Sequence, residues 1–217
     1  MTFVPARYSP AVTCSASLAS LVIIGLLGGC ASWPVPHKPT GQTTFALDDT
    51  ATTSLASAQP LASAPTLLVS SVRAAAGYDS PRFVYVRKAH ELQYYATARW
   101  IDTPARMFVP LAAQALERTG AFRAVVRAPT AAASELQLDL ELIRLQHEFT
   151  VTPSRVRVTL QAVLVDSASR RVVDSRRFDV SVTASSDDPA GGVAAANQAV
   201  HQALSELAAF CAAATTR

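Results

Sequence analysis

Three segments near the end of this chain alternate between apolar and polar residues, and this alternation constrains the fold more than any other feature of the sequence. The segments cover residues 136–149, 155–164 and 177–182. Successive side chains of a β-strand point to opposite faces, so the alternation indicates strands with one buried and one solvated face. Short links such as residues 166–170 favour consecutive antiparallel hairpins.

Further strands are predicted upstream. Residues 66–72 and 122–126 are short apolar runs of strand length. Residues 82–100 predict a hairpin that turns near residues 89–91, because the second half of this region alternates and is rich in aromatic residues.

Two helices complete the predicted domain. Pro104, with Thr103 as the N-cap, begins the first. The second begins after residues 187–192 and carries an apolar stripe that ends near Ala214. These elements predict an α+β domain over residues 65–217, in which a mainly antiparallel sheet of about five to six strands packs one face against two amphipathic helices.

The start of the chain resembles an export signal. Residues 18–29 are apolar and uncharged, too short to span a bilayer, and have the length of the apolar core of a signal peptide. They end in Leu27, two glycines and Cys30, which is similar to the lipobox of bacterial lipoproteins. We predict a signal peptide over residues 1–29 and lipidation of Cys30, with an ordinary secretory signal as the alternative. No aspartate follows the cysteine directly, which favours an outer-membrane anchor and a domain that faces the periplasm.

The next segment is predicted to be a tether. Residues 30–64 are rich in proline, serine, threonine and alanine, a composition typical of flexible linkers. A short strand is predicted within it, over residues 43–47. After cleavage and lipidation, Cys211 has no intramolecular partner, so it is either a small buried hydrophobe or paired between chains.

The chain lacks the residue patterns that catalysis needs. Its four histidines are isolated, and the sequence contains no Gly-x-Ser-x-Gly elbow, phosphate-binding loop or dinucleotide-binding motif. We therefore predict a protein that is not an enzyme and that has no metal site or other cofactor. The net charge is only +3 and the two signs are interspersed, so nucleic-acid binding is not indicated.

Two groups of residues are candidates for binding a partner. Arg155 and Arg157 belong to a set of arginines on neighbouring strands, which would form either a solubilising face or a contact for an acidic partner or a lipid head group. Tyr94 and Tyr95 point to opposite faces, so one ring lies outward as a candidate interface anchor, for which we choose Tyr95. Trp100 is either a core residue or a further contact.

The order and spacing of these features resemble the ABC-type transport auxiliary lipoprotein family. Besides the lipobox, the resemblance is carried by residues 45–47, 81–86, 92–95, 100–104, 116, 119–122, 125 and 194–207. It implies a non-catalytic periplasmic subunit of an MCE-type (mammalian cell entry) ABC transport system, which moves lipids or other hydrophobic molecules between the inner and outer membranes. It also implies that this subunit docks an MCE-domain protein at the outer membrane, and it allows a homo-oligomeric ring.

Other functions compete with this one. The main alternative is an outer-membrane biogenesis lipoprotein that binds a β-barrel partner. A carrier that binds lipid itself would need a pocket between the helices and the sheet. A hydrolase is the least supported.

Overall fold

The computed structural model describes residues 41–48 and 63–215. The predicted signal peptide, Cys30 and most of the predicted tether lie outside these described residues. In chain order the elements are β1 (Thr43–Phe45), β2 (Thr66–Val69), β3 (Arg73–Ala74), β4 (Arg82–Val86), β5 (Gln93–Trp100), α1 (Pro104–Glu117), β6 (Ala124–Arg127), β7 (Leu136–Glu148), β8 (Arg155–Asp166), β9 (Val172–Thr183) and α2 (Pro189–Ala214).

β7 is the strand around which the sheet is organised. On one edge it pairs antiparallel with β8 along its whole length, and β8 pairs antiparallel with β9. On the other edge the short strands β2, β3 and β4 follow one another, each parallel to β7. β6 extends the sheet beyond β2, and β5 and β1 extend it beyond β4. With 13 residues, β7 is long enough for three partners placed end to end.

The prediction of a mainly antiparallel sheet of five to six strands was wrong. The described residues form one mixed sheet of nine strands, in which five of the eight strand pairings are parallel. Alternation reveals a strand and its buried face but not the direction of its neighbour. β1 and β3 have only three and two residues, too few to show a period. The α+β class of the prediction holds.

A bulge in β7 keeps its apolar side turned toward the core. Alternate leucines from Leu138 to Leu142 are buried, and the register with β8 shifts between Leu142 and Arg144. Beyond the bulge, Leu145 and His147 occupy the inward positions. The bulge thus places a histidine in line with the buried leucines.

Both helices pack on the apolar face of the sheet. α1 starts at Pro104 as predicted and continues through Pro110. α2 starts at Pro189 rather than after the glycine pair, because the side chain of Asp188 caps the helix by accepting a hydrogen bond of 2.8 Å from the backbone N–H of Gly191. The two glycines therefore lie inside the first turns of α2.

β1 joins part of the predicted tether to the domain. Phe45 lies beside Trp100 in the register of β1 and β5, and Leu47 is buried. The backbone N–H of Asp48 donates a hydrogen bond of 2.8 Å to Oδ1 of Asn197 in α2. A strand was predicted over residues 43–47, and the structure has one over the first three of these residues.

Cys211 lies in the core. Its side chain is fully buried in α2, and this burial raises the pKa of the thiol to about 12. The prediction of a small buried hydrophobe is confirmed, and a buried thiol cannot reach a cysteine of another chain.

Candidate functional site

Three of the four predicted partner-binding residues lie near the end of the sheet where β7 stops and β8 begins, but not on one surface. Tyr95, in β5, contacts His147 on the side that faces the helices. Arg155 and Arg157, in β8, contact acidic side chains on the opposite face. Trp100 lies at the far end of β5. The lipidation site, Cys30, is outside the described residues.

Trp100 is a core residue. Its side chain is 1 % exposed, and its ring centroid lies 4.9 Å from that of the fully buried Phe83. A partner protein cannot touch a side chain buried to this degree. The structure thus removes Trp100 from the predicted contact residues.

Half-buried aromatic rings gather around Tyr95, and we call the set of Tyr85, Arg87, Tyr95 and Phe149 the aromatic end. The ring centroids of Tyr85 and Tyr95 are 4.7 Å apart, and those of Tyr85 and Phe149 are 6.1 Å apart. The guanidinium carbon of the exposed Arg87 lies 5.6 Å from the centroid of Tyr85 and 5.4 Å from that of Phe149. The aromatic end therefore combines an exposed cation with apolar surface that is only partly covered.

A chain of hydrogen bonds anchors the aromatic end to the interior. The Tyr95 hydroxyl lies 2.9 Å from Nδ1 of His147, and Nε2 of His147 lies 2.9 Å from Oγ of Ser154. Ser154 uses its only hydroxyl hydrogen to donate to Asp187, so Oγ must accept a hydrogen bond from the N–H at Nε2 of His147. In the neutral form of His147 the proton therefore lies on Nε2, and Nδ1 accepts a hydrogen bond from the Tyr95 hydroxyl.

The protonation states of the two rings agree with this arrangement. Burial raises the pKa of Tyr95 well above its usual value, so its hydroxyl remains a donor. Burial lowers the pKa of His147, although Asp187 and Asp188 act in the opposite direction. The neutral imidazole is therefore the favoured form.

We expect the free energy of unfolding of the domain to decrease as the pH drops below 6.5, the ordinary pKa of a histidine side chain. In the unfolded chain His147 binds a proton with a pKa near 6.5, whereas in the folded chain its pKa is lower. The stability that the neutral His147 contributes is therefore complete above pH 6.5 and decreases as the pH falls toward the folded pKa. The slope for one group reaches about 1.4 kcal/mol per pH unit. Urea unfolding of the wild type and of His147→Gln between about pH 7.5 and pH 5.5 tests this. Equal slopes for the two proteins would contradict it.

The start of α2 lies directly against His147. A Cβ atom added to Gly192 would lie 2.5 Å from Nδ1 of His147 and 3.1 Å from Cζ of Phe83. Only glycine lets the helix backbone approach the imidazole this closely. The backbone of α2 and the imidazole thus pack together beneath Tyr95 and support the aromatic end from the interior.

On the outer face, both predicted arginines are held by carboxylates. Nε of Arg155 lies 2.9 Å from Oε2 of the buried Glu148, whose other oxygen accepts a hydrogen bond of 2.8 Å from Nε2 of Gln146. Arg157 binds Asp179 through two nitrogens, and its hydrogen bonds lower the pKa of that carboxyl. The arginines therefore balance charge on the face, and a partner would have to compete with these ion pairs.

Sequence patterns do not predict the residues that surround Tyr95 in this site. His147 appears there as an isolated histidine, and its neighbours Ser154, Asp187 and Gly192 come from other elements. The only local signal is that an aromatic residue precedes each of two loops, Tyr85 before 89–91 and Phe149 before 150–154. Nothing in the sequence shows that the two rings meet.

Comparison with known proteins identifies the family. The family model of the ABC-type transport auxiliary lipoprotein component matches residues 45–208. This range covers most of the chain and runs from the end of β1 into α2. The chain belongs to this family. The resemblance in the sequence is thereby confirmed.

Solved structures share the fold of this auxiliary lipoprotein component. The protein XCC0632 from Xanthomonas campestris is 28 % identical, with a TM-score of 0.69, over 80 % of this chain and 97 % of that protein. A crystal structure of an uncharacterized protein is 14 % identical, with a TM-score of 0.61, over 79 % of this chain and 99 % of the other. The second of these matches concerns the fold alone. No curated protein matches the chain.

Within residues 41–48 and 63–215, no three histidine, cysteine, aspartate or glutamate side chains are placed to hold a metal ion. In the same part of the chain, no helix is both long and apolar enough to cross a membrane.

Proposed function

We propose that this chain is a non-catalytic subunit of an MCE-type ABC transport system, anchored through Cys30 in the outer membrane and facing the periplasm. There it would dock the MCE-domain protein through which lipids or other hydrophobic molecules pass between the membranes. The observation that carries the proposal is the family match, which assigns the folded domain to auxiliary components of ABC-type transport. Lipidation of Cys30 and the MCE partner are our predictions.

The aromatic end is the surface that we propose for docking. Interface hot spots are rich in tyrosine and arginine that are partly covered and rigidly held. Tyr85 and Tyr95 meet this description. The hydrogen bond of Tyr95 to His147 and its packing against Phe83 fix the Tyr95 ring before a partner arrives, and Tyr85 packs against that ring. Preorganised side chains lose little conformational freedom on binding, which favours affinity.

Two tyrosines of this sheet form a matched pair for the test. Tyr85 lies in the aromatic end under Arg87, with 5.6 Å between guanidinium carbon and ring centroid. Tyr94 is also half-buried, and the guanidinium carbon of Arg82 lies 4.7 Å from its ring centroid. Tyr94 faces away from Tyr95. If the aromatic end is the docking surface, substitution of Tyr85 should reduce partner binding more than substitution of Tyr94 does, while the two variants have similar stability.

The experiment is a crosslinked pull-down of full-length tagged protein from cell envelopes, with quantitative mass spectrometry of the captured chains. We expect the wild type to capture an MCE-domain protein. Tyr85→Ser should reduce this capture by about tenfold or more, as for an interface hot spot, while Tyr94→Ser leaves it unchanged.

Two results would count against these proposals in different ways. If the wild type captures a β-barrel protein and no MCE chain, the alternative of an outer-membrane biogenesis lipoprotein replaces the transport function. If an MCE chain is captured equally by both tyrosine variants, the transport function stands and the aromatic end is not the docking surface.

A further inference from the structure

β9, with 12 residues, is an edge strand of the sheet that the described residues form. Within the described part of the chain it pairs only with β8. Every second N–H and C=O group of β9 therefore points away from β8, toward a side on which no described strand lies. Such an edge can accept a further strand from another chain.

A groove runs beside this edge. It encloses about 320 Å³ and is lined by one acidic side chain, Asp174, by Ser175 and Arg176 of β9, and by Ala209, Phe210, Ala213 and Ala214 of α2. Neighbouring residues of a strand point to opposite faces, so the presence of both Ser175 and Arg176 shows that the backbone edge itself borders the groove. The small alanine side chains leave room for the side chains of an added strand.

Arginines outnumber carboxylates on the surface around the groove, where Asp174 is the one acidic residue of the lining. Four exposed arginines occupy β9 and the turn before it: Arg170, Arg171, Arg176 and Arg177. None of these four forms an ion pair with any residue that the structure describes. Asp179, which also lies in β9, is paired with Arg157. Val172 and Val173, between the two arginine pairs, are 61 % and 45 % exposed. The edge thus offers positive charge and apolar surface together.

We propose that β9 binds an extended acidic segment of a partner protein as an additional strand. An edge strand next to a helix is a known arrangement for binding peptides by strand addition. Alternate side chains of the segment would be acidic, meeting Arg177 on the outer face, and small and apolar, lying over Ala209 and Ala213 on the inner face. This inference depends on the edge alone and holds whichever transport system the chain serves.

Charge selects this occupant over a second copy of the chain. Another β9 would bring the same four arginines to the edge, and like charges at an interface disfavour association. An acidic segment instead neutralises them. The matched control for charge is Arg127, which is exposed on β6, the edge strand beyond β2.

The test uses two labelled peptides of about eight residues, the length of a short strand. One alternates glutamate with valine, and the other has lysine in place of glutamate. Fluorescence anisotropy with the full-length protein in detergent should show binding of the glutamate peptide and at least about tenfold weaker binding of the lysine peptide. Arg177→Glu should weaken binding of the glutamate peptide by about tenfold, and Arg127→Glu should leave the affinity for this peptide unchanged.

Hydrogen exchange then locates the bound peptide. Amides in residues 174–178 should become protected when the glutamate peptide is added. The proposal is wrong if neither peptide binds, if both bind equally, or if the protection appears elsewhere. Protection of β9 that rises with protein concentration alone would assign the edge to a second copy. Binding to phosphatidylglycerol vesicles that is lost in Arg177→Glu, without peptide binding, would assign the arginines to the membrane.

Discussion

Replacing Trp100 with alanine should lower the free energy of unfolding by about 3 to 5 kcal/mol, the usual cost of removing a buried aromatic side chain. Trp100 is 1 % exposed and packs on Phe83, the ring that also contacts Tyr95 and His147. The substitution removes the burial energy of the indole and leaves a cavity at the centre of this cluster. Equilibrium unfolding in urea, followed by circular dichroism, measures the loss.

The neighbouring residue provides a matched control. Ile101 follows Trp100 directly but is 66 % exposed, so Ile101→Ala should change the free energy of unfolding by no more than about 0.5 kcal/mol. A Trp100→Ala variant as stable as the wild type would contradict the buried position of the indole. If such a variant also failed to bind a partner, Trp100 would return to the candidate contacts.

The long elements of the fold could be predicted from the sequence because their patterns extend over many residues. β7, β8 and β9 were predicted from alternation, and the apolar stripe of α2 from its helical spacing. The parallel pairing of β2 with β7 could not be predicted in the same way. It joins residues nearly seventy positions apart, such as Leu67 and Leu136, and four residues of strand carry no sign of the direction of their neighbour.

The candidate site was predicted only in part, for a related reason. Alternation separates Tyr95 from Tyr94 but does not show which ring faces outward, and the structure turns Tyr95, which was predicted to be the outward ring, toward the helices. The role of His147 depends on the bulge between Leu142 and Arg144, which turns its side chain inward. Its hydrogen-bond partners are Tyr95 in β5 and Ser154 just before β8, and Ser154 in turn donates to Asp187 in the loop before α2. No local pattern joins these segments.

The glycine pair shows how tertiary packing can reverse a local preference. In an isolated helix, glycine is less favourable than alanine by about 1 kcal/mol, so alanine at position 192 would be expected to stabilise α2. In the folded domain, the backbone of Gly192 faces His147, and a methyl group there would lie 2.5 Å from Nδ1 of the imidazole, well inside van der Waals contact. The imidazole cannot move away freely, because Tyr95 and Ser154 hold its two nitrogens.

We therefore expect Gly192→Ala to destabilise the domain by about 1 to 3 kcal/mol, the usual cost of overpacking a core. The methyl group must displace either the first turns of α2 or the imidazole, and displacement of the imidazole breaks the hydrogen bond with Tyr95. Urea unfolding measures the change in stability, and the NMR signals of His147 report its displacement. Ala194→Gly, at an exposed position in the same helix, should cost only about 1 kcal/mol through helix propensity. A Gly192→Ala variant more stable than the wild type would show that α2 follows local propensity and that the close contact with His147 does not constrain the helix.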